Sequence, residues 1–218
     1  MQNDIEATKL VVKTIAQTAI DNEQYFCELD AAVGDGDFGY SLARGFEQVI
    51  NDWDTFDRTN VGTFLKKLGI VITSRIGGTS GPIWGTAFLR AGTTAGNKTN
   101  LHAQDVVAML RAAIEGIKQR GQADVGDKTL LDALVPAVDR LEQAVNEGAD
   151  STTALQKAAI TARQQAEATR NLIAKRGRAS YSGDRSIGTL DAGAVAVAVL
   201  FEQVSRAWEQ VNIGGVLR

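Results

Sequence analysis

Three carboxylates, Asp30, Asp35 and Asp37, fall within ten residues alongside three glycines, in the run Leu29-Asp30-Ala31-Ala32-Val33-Gly34-Asp35-Gly36-Asp37-Phe38-Gly39. Carboxylates this close repel one another unless a cation sits among them. Glycine lets the backbone turn tightly enough to aim them at one point. Mg²⁺ suits such a loop, because it takes a few carboxylates, waters and phosphate oxygens in octahedral geometry. The plainer reading is a solvated acidic turn in which Asp37 caps a helix. Capping does not account for three aspartates, so the favoured reading is a Mg²⁺ site that handles phosphates.

Three more polar stretches could take part. Gly77-Gly78-Thr79-Ser80-Gly81-Pro82 opens a helix. Free amides and the hydroxyls of Thr79 and Ser80 at a helix N-terminus make an anion cradle, although a simple helix cap explains the stretch equally well when it is taken alone. A second loop runs from Gly121 to Thr129. A third, Arg178 to Leu190, is rich in Gly, Ser and Arg, and with Arg176 it offers Arg178, Asp184 and Arg185. Guanidinium groups suit bidentate phosphate recognition, and a segment of such small and polar residues suits a movable lid; a plain surface loop is the alternative.

Two motifs match only in form. Gly34-x-Gly36-x-x-Gly39 fits the dinucleotide fingerprint, but no strand precedes it and Asp35 and Asp37 would repel a bare pyrophosphate. Gly121-x₄-Gly126-Asp127-Lys128-Thr129 has an extra Asp before the Lys and again lacks a strand, which excludes a P-loop. Its Gly and Lys stay open as nucleotide contacts.

The elements that must position these loops read as helices. Apolar residues recur at helical spacing in eight segments. The first spans Asp4 to about Asp21, the second carries Leu42, Phe46, Val49 and Trp53, and the third carries Val61, Leu65, Leu68 and Ile72. The fourth begins with Pro82 as its first residue, the fifth ends at Gly121, and the sixth contains Pro136 as a kink. The seventh runs from Leu155 through Thr169 and Ile173 to Gly177, and the eighth starts near Asp191. Ala194 to Phe201 alternates Ala and Val and fits a strand by period alone; its continuation to Val211 favours helix. The predicted fold is all-α, a bundle of eight up-and-down antiparallel helices without strands. Loops 30–39, 77–82, 121–129 and 177–191 each follow an odd-numbered helix, so alternation brings all four to one end.

With 218 residues and 44% hydrophobic content, residues 1–218 read as one domain of ordinary globular composition. A net charge of −3 gives no reason to expect nucleic acid or an anionic membrane as partner. The single cysteine, Cys27, cannot form an internal disulfide, fits a reducing cytoplasm and is expected as a small core residue. His102 is the only histidine, which excludes a multi-histidine metal site, and it is expected exposed at a helix start. No signal-peptide pattern opens the chain, and no run reaches the ~20 apolar residues of a membrane span.

In order along the chain, the run Leu29 to Asp37 with Ala43-Arg44-Gly45-Phe46, then Gly77 to Pro82, Gly126-Asp127-Lys128-Thr129, Lys175 to Tyr181, Ser186-Ile187-Gly188 and Asp191-Ala192-Gly193 together resemble the nucleotide-binding (L) subunit or domain of dihydroxyacetone kinases. The resemblance covers nearly the whole chain. It implies a barrel of eight antiparallel helices with the nucleotide at one end. Asp30, Asp35 and Asp37 would hold two Mg²⁺ ions on the phosphates of ADP or ATP. Thr79 and Ser80, with neighbouring amides such as that of Gly78, would hold phosphate. Phe38, Gly39, Tyr40, Ser41, Gly121, Leu130, Arg178, Asp191, Ala192 and Gly193 would line the nucleotide site, and 178–190 would be the lid. Arg178 would join the aspartates in catalysis.

In that family the ketose is bound covalently to a histidine of a separate subunit or domain, a K-type partner. One branch keeps ADP as a cofactor recharged by a phosphotransferase-system protein, and another exchanges ATP freely. Many members carry His and Asn where Phe38 and Ser41 stand here, which leaves the nucleotide state open and hints at a kinase for another ketose, such as a tetrulose. Two other readings stay open: a non-catalytic nucleotide-sensing module, and a fatty-acid-kinase-like domain, whose acidic motif has a different flank. A homo-oligomer is also left open.

Overall fold

The computed structural model describes residues 4–98 and 100–216, the side chains of 212–216 excepted. Among the described residues there are nine α-helices and no strand: α1 Asp4–Asp21, α2 Glu23–Ala31, α3 Phe38–Asn51, α4 Val61–Arg75, α5 Ser80–Ala95, α6 Ala103–Gly121, α7 Leu131–Asn146, α8 Ser151–Ala168 and α9 Ala192–Val216. Short 3₁₀ segments lie at Trp53–Thr55, Thr169–Asn171 and Arg178–Ser186.

Packing follows chain order. Each helix from α3 to α9 rests on the next, α9 returns to α1, and α1 packs on α3, so eight helices form a closed ring. The ninth, α2, lies against α3, α9 and α1. It corrects the count of eight. Only Phe26 of its nine residues is buried, so it carries no apolar period that sequence could reveal.

The ring closes on a core that includes Leu42, Phe46, Phe64, Leu68, Ile72 and Val195, each with no exposed surface. Leu42, Phe46 and Val49 share one face of α3, as their four- and three-residue steps require. Burying a side chain of this kind contributes about 1.5–3 kcal/mol. The stretch with strand-like alternation is the inner part of α9, where Ala194, Ala196 and Ala198 are fully buried. Burial on every side explains the misleading period: a helix enclosed all round has no polar face to set a 3.6-residue rhythm.

Helix ends differ from expectation in three places, the first at Trp53, which was expected on the second helix but falls in a 3₁₀ segment because α3 ends at Asn51. The fourth predicted helix starts at Ser80, two residues before Pro82, with Thr79 at the N-cap position. Pro82 therefore still lies in the first turn, where its missing N–H costs nothing. The seventh stops at Ala168 instead of running to Gly177. There the Thr169 hydroxyl donates to the Ala166 carbonyl (2.6 Å) and accepts from the Asp191 N–H (3.0 Å), turning the chain into a 3₁₀ segment. Ile173, the last residue of the apparent period, is 41% exposed. Pro136 lies inside α7, and the helix runs through it.

Candidate nucleotide and metal site

The acidic loop is built by the junction of α2 and α3. Asp30 is in the last turn of α2, and Asp37 stands just before α3. One Asp30 carboxylate oxygen accepts the Gly36 N–H at 2.9 Å, which folds the turn back on itself. Gly36 has φ +75°, a conformation open to glycine and strained for other residues. Gly34 has a second reason to be glycine: a Cβ there would sit 2.3 Å from Asp30 Oδ1. The outcome is that Asp30, Asp35 and Asp37 can each offer one carboxylate oxygen within 4.8 Å of the others. Asp35 and Asp37 are exposed and Asp30 is half-buried. Three hard oxygen donors around one open point fit Mg²⁺. Asp37 occupies the N-cap position of α3 without making a side-chain capping bond, so capping does not account for it.

Arg178, at the start of the 3₁₀ segment Arg178–Ser186, reaches this cluster. Its guanidinium pairs with Asp35 and lies 3.3 Å from Asp37. The Ser182 hydroxyl donates to the Val33 carbonyl at 3.3 Å, a second contact between the 178–190 segment and the acidic loop. Arg176 turns elsewhere, pairing with Asp127 at 3.2 Å, as does Lys175 at 3.4 Å. Three of the four loops thus meet: the acidic loop with the Arg-rich segment, and that segment with 121–129.

The remaining predicted residues are placed as follows. Gly78 has φ +62° with open space around it, and Thr79 makes no side-chain capping bond. Among the described residues no hydrogen bond joins Thr79 or Ser80 to the acidic loop. Gly39 is buried against α2, where a Cβ would meet the Glu23 carbonyl oxygen at 2.0 Å. Its neighbour Tyr40 is exposed under the Arg44 guanidinium, 5.1 Å from the ring centre. The Tyr40 N–H donates to Cys27 Sγ at 3.2 Å. Cys27 is only half-buried, a correction to its expected core position, because it lines the α2–α3 seam. Phe38 packs its ring on Phe26, centroids 6.2 Å apart. Ser41 is half-buried. Gly121 ends α6 beside Ile83, and Leu130 precedes α7. Gly193 lies between Leu130 and Asp191, so these residues share one spot, with Ala192 buried beside them. His102 is exposed at the start of α6 as expected.

One buried group, Asp132, was not singled out by sequence, and Asp191 was expected at the nucleotide site and at the start of the last helix. Asp132 accepts the N–H groups of Gly126 (2.5 Å) and Thr129 (2.7 Å), fixing the 126–129 turn on α7. Asp191 caps α9 by accepting the Ala194 N–H at 2.7 Å. Although Asp191 keeps some exposed surface, its carboxyl is enclosed by protein. Burial, reinforced by Asp132 and Asp30 and opposed by that N–H and Lys128, pushes it up to about 7. Lys128, left open as a nucleotide contact, is 2% exposed and its ammonium bonds to backbone carbonyls.

The DAK2 domain family pattern matches residues 32–206. The chain is 35% identical, over 84% of its length and 88% of the relative's, to the ADP-binding subunit DhaL of the PEP-dependent dihydroxyacetone kinase of Escherichia coli (strain K12). It is 36% identical to the corresponding subunit of the PTS-dependent kinase of Lactococcus lactis subsp. lactis (strain IL1403), over 84% of this chain and 86% of that one. It is 38% identical to the L-erythrulose 1-kinase of Mycolicibacterium smegmatis (strain ATCC 700084 / mc(2)155), over 88% of this chain but 34% of that enzyme. Among solved structures, the dihydroxyacetone kinase of C. freundii in complex with AMP-PNP and Mg²⁺ superimposes with a TM-score of 0.73 at 28% identity, covering 95% of this chain. The chain spans about a third of that enzyme's length, 34%.

Proposed function

The chain belongs to the DAK2 domain family, the family of dihydroxyacetone kinase ADP-binding subunits, and from that premise we propose that it carries the nucleotide half of a two-part ketose kinase. It binds ADP or ATP with Mg²⁺ and passes the terminal phosphate to a ketose held on a separate K-type subunit. The observation that supports this reading most is the convergence of Asp30, Asp35 and Asp37 within 4.8 Å, faced by Arg178.

In this reading the eight-helix ring is an antiparallel barrel with the nucleotide at the end bearing the loops. Asp30, Asp35 and Asp37 would hold two Mg²⁺ ions, which would supply charge neutralisation for the phosphates. Thr79, Ser80 and the amide of Gly78 hold phosphate at the start of α5, where the helix dipole favours an anion. Arg178 has two alternative partners, the carboxylates and the transferred phosphate, and closes the 178–190 lid on either. Phe38 to Ser41, Gly121, Leu130 and Asp191 to Gly193 line the nucleotide. Phosphoryl transfer asks for positioning and charge stabilisation more than for a protein base. A phosphotransferase-system donor follows the PEP- and PTS-dependent ADP-binding relatives, and a cytoplasmic setting accords with the single cysteine.

The test combines the protein with Mg²⁺-ATP, a ketose-binding subunit, and dihydroxyacetone or erythrulose. Asp35→Ala should abolish transfer; retained transfer overturns the metal assignment. A wild-type protein that binds nucleotide yet transfers to no partner would instead be a nucleotide sensor. ADP retained through extensive dialysis marks the recharged-cofactor branch, and an empty site marks ATP exchange.

A further inference from the structure

We propose that Lys128 is the positioning residue of the lid: its buried ammonium clamps both ends of the Arg-rich segment and so sets where Arg178 arrives. The ammonium donates to the Leu172 carbonyl at 3.2 Å, before the segment, and to the carbonyls of Ser186 and Thr189 (2.8 Å), after it. An ammonium has three protons, and all three are used on backbone acceptors, of which the Ser186 carbonyl also takes the Thr189 hydroxyl at 2.7 Å. Between these points the chain leaves and returns, and its free arm carries Arg178 and Ser182 to the acidic loop.

The neck is stitched around that ammonium. The Ala174 N–H donates to Ser186 Oγ (2.9 Å), the Lys175 N–H to the Asp127 carbonyl (3.0 Å), and the Gly188 N–H to the Arg170 carbonyl (2.8 Å). Ser186 has no exposed surface. A second observation is independent of these bonds: Lys128 has φ +60°, a left-handed conformation that disfavours any side chain. Strain of this kind persists where surrounding contacts over-determine it, here the two turn amides held by Asp132 and the three carbonyls held by the ammonium. Burial, with a smaller push from the Arg170 charge, lowers the Lys128 ammonium from its usual range, and Asp191 opposes that effect.

The clamp deepens the nucleotide-site reading and rests on it for the role of the lid. The test uses the full chain as wild type, Lys128→Gly and Lys128→Met. Glycine relieves the backbone strain while removing the ammonium; methionine keeps the stem and the strain. Amide hydrogen exchange without ligand should speed up at least tenfold at Ala174, Lys175 and Gly188 in both variants, with α4 amides unchanged. Exchange at these three amides within twofold of wild type, or acceleration spread evenly over all helices, overturns the clamp. Mg²⁺-ADP affinity, measured by calorimetry, should fall about tenfold in both variants. Faster neck exchange with unchanged Mg²⁺-ADP affinity overturns the positioning role. If wild type itself binds no Mg²⁺-ADP, the nucleotide-site reading fails, and exchange still decides the clamp.

Discussion

Replacing Asp35 by Asn separates a ligand-binding carboxylate from a structural one, because the two roles predict opposite signs in the free protein. The three carboxylates lie within 4.8 Å of one another. At that separation in water, two unit charges repel by about 0.9 kcal/mol. Asn at position 35 removes two such repulsions, and it also removes the exposed Arg178 pair, worth about 0.2–1 kcal/mol. The free Asn variant should therefore be as stable as wild type or more so by up to ~1.5 kcal/mol. In a chain of this size that is a melting shift of zero to about +5 °C. Ligand reverses the order. Mg²⁺-ADP at a hundredfold excess over its dissociation constant stabilises wild type by about 2.7 kcal/mol, or ~5–10 °C. If losing one carboxylate weakens binding about a hundredfold, the same concentration gives the variant only ~0.4 kcal/mol. Thermal melts with and without Mg²⁺-ADP, checked by calorimetry, measure both signs. A free variant melting more than ~5 °C below wild type would show that Asp35 supports the fold, and an equal rise with ligand would show that it holds no metal.

Gly39→Ala should destabilise by about 1–3 kcal/mol, as overpacking of a close helix contact does, since its Cβ would meet the Glu23 carbonyl oxygen at 2.0 Å and Cys27 N at 2.7 Å. Denaturant unfolding checks this, and the Mg²⁺ affinity should fall with it, because α2 and α3 carry Asp30 and Asp37. Asp191 predicts a pH effect. Its carboxyl is raised to about 7 in the folded chain, mainly by burial, against about 3.9 when unfolded. Between about pH 4 and 7 the folded protein holds a proton that the unfolded chain has lost, so stability falls as pH rises through that window, by up to ~1.4 kcal/mol per unit, and levels above it. Asp191→Asn keeps an acceptor for the Ala194 N–H and should remove this slope; an unchanged slope in urea titrations at pH 5, 6 and 7 refutes the assignment.

What sequence revealed and what it concealed follow from one physical distinction, between groups that obey a repeating pattern and groups that meet only in space. Leu42, Phe46 and Val49 repeat at helical spacing because one face of α3 is buried, so α3 was legible. Asp30, Asp35 and Asp37 were legible because their chemistry is local in the chain. By contrast, α2 buries Phe26 alone and leaves no rhythm, which hid the fact that Asp30 is presented by a helix end. Thr169 and Ile173 prolonged the rhythm of α8 past its true end, because a period cannot register that a hydroxyl has taken over a backbone bond. Lys128 is the instructive case. Its neighbours Gly126, Asp127 and Thr129 do not make a P-loop, and sequence left the lysine open as a nucleotide contact. The ammonium instead meets carbonyls of residues 172, 186 and 189. Nothing near Lys128 in the chain encodes those partners, since they are made by the closing of α8 toward α9. In this chain the motif located the acidic loop, and the tertiary fold decided which cation faces it: Arg178, exposed and opposite the carboxylates, while Lys128 is spent on holding the segment that delivers it.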